Sequence, residues 1–438
     1  MSERIGRSIL RLAVPNIVSN ITVPLLGMVD MSLMGHMGSP AYIGAIGLGG
    51  SVFSVLYSFF SFMRAGTTGF TAQAYGAGHR AEVAYSLYRA LGIALVAAVL
   101  VLSLQGPIER LAMLLLNGST EVLGLTASYY RVRIWAAPAV LGLYALNGWY
   151  IGMQNTVVPM AVAILINAVN IVLSLFFVRH MQMGVEGVAL GTVLAQYGGL
   201  LLAVGLLLTR YRRCLVRIEW DELLRSEVLL RFFRVNADFM VRSLLLILSI
   251  AYFANQSARL GDDILAVNMI LMQLFYIFSY FTDGFAYAGE ALVGRFKGAG
   301  QHAELRRTVH QLLLWGVGLC IPFALLYGMY PGAFIELISD LPIVAEQAGP
   351  YVGYMKLIPP ITFAAFLWDG IYIGATASRA IRNTMLIASL LVFVPACALL
   401  IPRWGNHGLW VSFLLFMAAR GLCLTLMAPR AIFGEQKQ

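Results

Sequence analysis

Asp30 is the only carboxylate between Glu3 and Glu82, and it stands inside an apolar run, Val23-Pro24-Leu25-Leu26-Gly27-Met28-Val29-Asp30-Met31-Ser32. Three more carboxylates, Asp283, Glu290 and Asp369, sit in apolar surroundings in the second half of the chain. A charge at the centre of a membrane helix costs at least about 2.5–3.5 kcal/mol, so a chain that keeps one generally uses it. Burial disfavours the charged form and raises a carboxylate's affinity for a proton, which it loses on meeting water or a cation. The chemistry on offer is thus reversible proton carriage or cation binding. For Asp30 the alternative is a carboxylate that merely hydrogen-bonds to a neighbouring helix. For the other three it is an internal ion-pair network, with Lys356 and Arg242 as candidate counter-charges.

Other chemistries find little support. The six histidines (His36, His79, His180, His302, His310 and His407) lie mostly in or near connections and lack ligand spacing. Cys214, Cys320, Cys397 and Cys423 form no Cys-x-x-Cys pair, so neither a metal site nor a disulfide frame is expected. A membrane-embedded enzyme would want clustered His or acidic ligands. There is no Gly-x-x-x-x-Gly-Lys-Ser/Thr loop and hence no built-in ATPase. The expectation is a protein that is not an enzyme and needs no cofactor.

The elements that position Asp30 follow from composition. Of the 438 residues 60% are hydrophobic and only 12% charged. Soluble domains carry roughly 25% charged residues, so this is an all-α integral membrane protein whose partner is the lipid bilayer. Twelve spans are predicted, at about 12–36, 43–75, 84–106, 122–151, 157–179, 185–209, 229–256, 264–294, 306–328, 346–375, 380–401 and 406–428. The N-terminus is polar and the run after it is too long for a signal-peptide core, so it is expected to be retained. Residues 1–209 form a first lobe, 210–228 a linker with an interfacial helix near Trp220–Arg225, and 229–438 a second lobe.

The net charge of +9 is placed by topology rather than for nucleic acid. Arg4, Arg7 and Arg11 precede the first span, and the even-numbered connections hold most of the remaining Arg and Lys, from Arg80 through Arg210–Arg234 and Arg295–Arg307 to Arg379 and Arg382. Both termini are therefore expected on the cytoplasmic side.

The chain also repeats. Gly76-Ala77-Gly78-x-x-Ala81-Glu82 returns as Gly298-Ala299-Gly300-x-x-Ala303-Glu304, a shift of 222 residues. At that shift Tyr129 meets Tyr351, Pro138 meets Pro360, Asn147-Gly148 meets Asp369-Gly370, and Tyr150-Ile151-Gly152 meets Tyr372-Ile373-Gly374. One residue off it, Gly184-x-x-Gly187 returns as Gly405-x-x-Gly408. Six spans per half is an even number, so both halves enter the membrane the same way round. That implies a pseudo-twofold axis along the membrane normal, a cavity where the halves meet, and alternating access by rocking.

Helical phase gathers the polar residues of the first half. Asn16, Val23 and Asp30 fall within about 40° of one another on an ideal helix. Pro15 and Pro24 are the candidate hinges of the first span, because proline frees a backbone carbonyl and bends a helix. Asn167, Asn170 and Ser174 share one stripe, Thr192 and Gln196 one face, and Tyr129 and Asn147 are in phase. These residues and Asp30 are the candidate cavity lining. The alternative for each is an interhelical hydrogen bond worth about 0.6 kcal/mol. Met28, Met31, Met34 and Met37 recur every third residue around Asp30 and either adapt to varied ligands, with Met31 the candidate lining residue, or pack against neighbours and lipid.

With these motifs in this order, the chain resembles the multidrug and toxic compound extrusion (MATE) transporters over essentially its whole length, and within them the DinF-like bacterial branch. The resemblance rests on Pro15 and Asp30, the repeated Gly-Ala-Gly-x-x-Ala-Glu, Asn147-Gly148, Asn170-Ile171-Val172-Leu173, Gly184-Val185-x-Gly187-Val188-Ala189 and Asp369-Gly370. It implies export of small amphipathic, often cationic compounds across the bacterial cytoplasmic (inner) membrane, driven by proton re-entry or, as the other possibility, sodium. Asp30 is implied as the protonation site, and Tyr129, Asn147, Asn170 and Thr192 as cavity positions. Relatives with a second aspartate four residues after the fifth-span asparagine differ here, where Ser174 stands. In NorM-like relatives a seventh-span glutamate joins the tenth-span aspartate in binding sodium. Asp369 is present, but the seventh span around Arg242 to Phe253 offers no carboxylate, which weakens sodium coupling. A lipid-linked oligosaccharide flippase of the same superfamily is the rival reading; it calls for a more cationic cavity, and the first half's candidates are acidic or neutral. A monomer is expected.

Overall fold

A bilayer supplies no hydrogen-bond partner for exposed backbone, so every long apolar run should close its bonds within itself as a helix. The computed structural model describes residues 2–35, 40–330 and 348–434, and among these no strand occurs. Ten helices among the described residues are long and apolar enough to cross a membrane, from Ala41–Gly76 to Asn406–Ala431. Exposed leucines such as Leu201, Leu391 and Leu426 mark faces suited to lipid. The expected span at 12–36 is the helix Ser2–Gly35, which runs through Pro15 and Pro24. The expected span at 122–151 is two α-helices, Thr120–Arg133 and Ala137–Gly152, joined by a 3₁₀ turn at Ile134–Ala136. Pro138 fits that junction, because a proline near a helix start gives up only an N–H with no partner inside the helix.

Two further breaks follow from local chemistry. The second span divides at Ser61 into Pro40–Phe60 and Phe62–Gly76, where the Ser61 hydroxyl turns back to the Ser58 carbonyl at 2.7 Å. In the eleventh, residues Ile387–Phe393 widen into a π-helix ahead of Pro395, which cannot donate to the carbonyl four residues before it. One helix was not expected: Gln105–Leu115, which exposes Leu111, Leu114 and Leu115 and docks on Thr120–Arg133. The Arg131–Glu109 ion pair (2.8 Å) and a Tyr130 hydroxyl donating to the Gln105 carbonyl (3.1 Å) hold it there.

The chain forms two compact units, one of Val18–Leu229 and one of Met1–Ile17 with Leu230–Gln438. Within each, the repeat seen in the sequence returns as matching backbone. The His79 and Gln301 N–H groups each reach back five residues, to the Ala74 and Phe296 carbonyls, over a glycine in left-handed conformation (Gly78 φ 74°, Gly300 φ 68°). The same turn recurs at Asn155 to Tyr150, over Gln154 (φ 62°), and at Ala377 to Tyr372, over Thr376 (φ 51°). A Cβ on Gly148 would lie 2.4 Å from the Arg64 carbonyl oxygen, and one on Gly370 2.2 Å from that of Ala286. Each glycine thus lets two helix backbones touch.

In the Val18–Leu229 unit the linker is tied down. Its helix is the single turn Trp220–Leu223, shorter than the expected Trp220–Arg225 stretch. Arg89, whose side chain is 3% exposed, donates to the carbonyls of Leu223 (3.1 Å) and Glu222 (3.0 Å) and pairs with Glu82 at 2.5 Å. The Tyr88 hydroxyl donates to the Val216 carbonyl at 2.9 Å.

Candidate functional site

The polar stripes of the fourth, fifth and sixth spans converge in the Val18–Leu229 unit because small residues let the fifth and sixth approach. A Cβ on Gly191 would meet the Ser174 hydroxyl oxygen at 2.8 Å, and one on Gly199 would meet the Ile166 side chain at 2.4 Å. The approach leaves a cavity of about 300 Å³ beside the Ala137–Gly152 helix. Four of the expected residues line it: Asn147, Asn167, Thr192 and Gln196. Val140, Leu143, Val162 and Ile166 give it apolar walls.

Three other expected residues stand behind that lining. Asn170 and Ser174 are fully buried. The Asn170 amide donates to the Thr192 hydroxyl at 2.8 Å, the Ser174 hydroxyl donates to Asn170 Oδ1 at 3.3 Å, and the Thr192 hydroxyl donates to the Val188 carbonyl at 3.0 Å. These bonds join the fifth and sixth spans and orient Thr192 at the cavity wall. Tyr129, 1% exposed, packs its ring against Gly49 and accepts a hydrogen bond at its hydroxyl from Arg133. Asn167 faces both ways: it lines the cavity, and its amide donates to the Thr22 carbonyl of the first helix at 3.2 Å. Asp30 and Met31 are helical, while their side chains, like those of Met28 and Met34, lie outside the described ones, and Met37 lies outside the described residues.

The cavity also contains a residue that the sequence reading missed. Arg133 lines it together with Tyr57 and Tyr144, so the expectation that this half's cavity is acidic or neutral is corrected. The guanidinium stacks on Phe53 (4.9 Å from the ring centre) and Tyr129 (5.4 Å). The signal was available: Arg133 lies about 40° from both Tyr129 and Asn147 on an ideal helix. It also stands inside the expected span at 122–151, where a charge is as costly as that of Asp30 in the first.

The second unit places its carboxylates differently. Asp369, 6% exposed, accepts from Arg242 and, at 2.7 Å, from Arg420, which is itself 1% exposed. Arg242 was an expected counter-charge; Lys356 is exposed and forms no ion pair among the described residues. Arg420 also donates to the Met417 sulfur at 3.1 Å and stacks near Phe416. Asp283 accepts from the Ser279 hydroxyl at 3.4 Å, and Glu290 is buried where the Asp262–Gly298 helix touches Gly374.

A fourth carboxylate joins the three expected in this half. Asp238, 3% exposed, binds Arg382 at 2.6 Å and the Ser378 hydroxyl at 2.7 Å. The seventh span therefore does carry an acid, just before the Arg242–Phe253 stretch, and the expectation of none is corrected. Both omissions are legible in retrospect. Arg420 is the only charged residue between Arg403 and Arg430, the same kind of isolation that singled out Asp30.

The MatE family model matches two segments, residues 15–176 and 239–399, one in each half of the duplication. The chain is 37% identical over 427 residues to the DNA damage-inducible protein F of Escherichia coli (strain K12), covering 97% of this chain and 92% of that one. It is 23% identical over 388 residues to a probable multidrug resistance protein NorM of Thermotoga maritima, covering 87% and 80%. Among solved structures, the bent form of the Vibrio cholerae MATE transporter VcmN superposes with a TM-score of 0.87 over 98% of both chains at 17% identity. The fold is therefore the twelve-helix, two-lobe MATE architecture.

Proposed function

Because the chain belongs to the MatE family, whose members are multi-pass membrane transporters rather than enzymes, we propose that it is a proton-coupled antiporter. It exports small amphipathic compounds, often cationic ones, across a bacterial cytoplasmic membrane, as a monomer with both termini inside. Substrate enters the chamber of the first half, and protonation of Asp30 is coupled to its release. A ligand shifts a two-state transporter only through unequal affinity for the two states. A single carboxylate that is neutral in one state and charged in the other supplies that inequality.

One observation carries the reading: a chamber of about 300 Å³, apolar in its walls and polar at Asn147, Asn167, Thr192 and Gln196, in the half that contains Asp30. The second half supports the choice of ion. Asp369 is already held by two guanidinium groups, which leaves it poorly suited to sodium. The rival reading, a flippase for a lipid-linked oligosaccharide, draws its support from Arg133 in the chamber.

The deciding experiment uses the purified chain in proteoliposomes, with proton and sodium gradients imposed separately. Substrate movement driven by the proton gradient, and proton movement on substrate addition, are expected. A strict sodium requirement with no response to pH would refute the proton reading. Movement of labelled lipid headgroups without drug transport would establish the flippase.

A further inference from the structure

Arg133 is a guanidinium without a counter-charge among the described residues. It lines the chamber, lies over the rings of Phe53 and Tyr129, and gives one N–H to the Tyr129 hydroxyl, while its buried Nε has no acceptor among the described residues. Two more lining residues have a buried polar atom without a partner among the described residues: Tyr57 at its hydroxyl and Asn147 at Oδ1. Elsewhere in this unit buried cations are fully employed, as Arg89 is by Glu82 and two carbonyls. Unpartnered buried polar groups are uncommon, and several on residues that line one chamber point to a ligand that completes them.

The chemistry of that ligand follows from the donors. An arginine N–H and a phenol O–H together present two donors to one acceptor group, and a guanidinium matches oxyanions in both charge and shape. The two aromatic rings beside the guanidinium keep water from that side of it, which strengthens its attraction for an anion. The walls, Val140, Leu143, Val162 and Ile166, accept an apolar body. Asn147 Oδ1, an acceptor, suits a hydroxyl or amine donor elsewhere on the same ligand.

We infer that the chamber recognises amphipathic molecules bearing an oxyanion, a carboxylate, sulfonate or phosphate, through Arg133 and Tyr57. The inference rests on the chamber's being the transport site proposed above, and it adds acidic and zwitterionic amphipaths to the cationic ones that Asp30 would favour. Arg133 is then a specificity-determining residue. The oxyanion is either that of a free amphipathic acid or that of an anionic lipid headgroup.

The test is equilibrium binding to the full-length protein in phosphatidylcholine nanodiscs, with no ion gradient. One probe is the sulfonate 8-anilinonaphthalene-1-sulfonate and the other is the cationic dye rhodamine 6G. Arg133→Gln is expected to weaken sulfonate binding about tenfold or more, the loss of one charge-assisted contact, while rhodamine binding holds or tightens. Arg133→Lys, which keeps the charge and controls for folding, should retain most of the sulfonate affinity, and Tyr57→Phe should lose part of it. Equal sulfonate affinity in wild type and Arg133→Gln overturns the inference, as does an equal loss of both dyes in Arg133→Gln and Arg133→Lys. If phosphatidylglycerol displaces the sulfonate from wild type, the natural oxyanion is a lipid headgroup; if it does not, the site takes free acids. Sulfonate binding that is indifferent to Arg133, with rhodamine transport intact in the proteoliposome assay above, sinks this inference alone, whereas transport of neither dye in that assay sinks the antiporter reading.

Discussion

Asp369 and Arg420 lie 51 residues apart in the chain and meet at 2.7 Å in the interior of the second unit, with Arg242 on the same carboxylate oxygen. The pairing turns a residue that resembles a sodium ligand into the centre of a two-guanidinium cluster. Removing one partner of a buried pair generally costs about 3–5 kcal/mol, because the other charge is left uncompensated. Arg242 remains here, so Arg420→Met should destabilise the protein by about 3 kcal/mol, the low end of that range. The double variant Asp369→Asn/Arg420→Met should recover part of the loss. Thermal unfolding in detergent reads both, and an unchanged midpoint for Arg420→Met would show the pair to be energetically idle.

Sodium should find no site at Asp369. A titration from choline to sodium chloride at constant ionic strength is expected to leave the melting midpoint unmoved. Stabilisation by sodium that disappears in Asp369→Asn would assign the ion to this cluster after all.

Asp30→Asn is expected to abolish the drug resistance that the wild type confers on a sensitised host, with expression and melting midpoint unaltered. The variant keeps the shape of the side chain and removes only its proton exchange. In the proposed cycle, where Asp30 is protonated to release substrate, acidifying the trans side should speed wild-type efflux and leave the variant unaffected. Undiminished efflux by Asp30→Asn in loaded vesicles would exclude this residue as the proton carrier.

Gly370→Ala and Gly148→Ala test the backbone contacts shared by the two halves. Each new methyl would stand 2.2–2.4 Å from a carbonyl oxygen of the neighbouring helix, closer than any relaxed contact. Overpacking of this kind costs about 1–3 kcal/mol. Gly353→Ala, which meets nothing within 4 Å in the same Val352–Gly374 helix as Gly370, is the control and should lose nothing. Equal midpoints for all three would mean that the helices part at little cost.

Arg89→Ala should release the linker. It removes donors to the Glu222 and Leu223 carbonyls, worth about 1.5–3 kcal/mol as bonds to a charged group. Limited proteolysis between Leu215 and Arg225 is expected to accelerate while the membrane-embedded cores stay intact. Cleavage at the wild-type rate would show that Tyr88 and the rest of the linker hold it without Arg89.

Much of this protein is local in origin and so was legible in its residues. Apolar runs become helices because lipid forbids any other way of satisfying the backbone, and the repeat of 222 residues carries its turns with it, down to Gly78 and Gly300. Helical phase likewise put Asn147, Asn167, Thr192 and Gln196 on converging faces, and the structure brings them to one chamber. Apart from Arg242, an expected counter-charge that does reach Asp369, which polar groups would be consumed by one another was not legible. Pairing across helices depends on how closely two backbones approach and how each is rotated, and residues far apart in the chain decide that. Asn147 and Asp369 occupy equivalent places in the duplication, yet Asn147 lines the chamber with an oxygen unpaired among the described residues, while Asp369 is held by two arginines. The difference traces to the last span of each half, in the same register that aligns Gly184 with Gly405. There Gly199 lets its helix close onto Ile166, whereas Arg420 reaches the carboxylate. The duplication repeats the backbone, and tertiary packing around the residues that depart from the repeat made one site a chamber and the other a buried ion cluster.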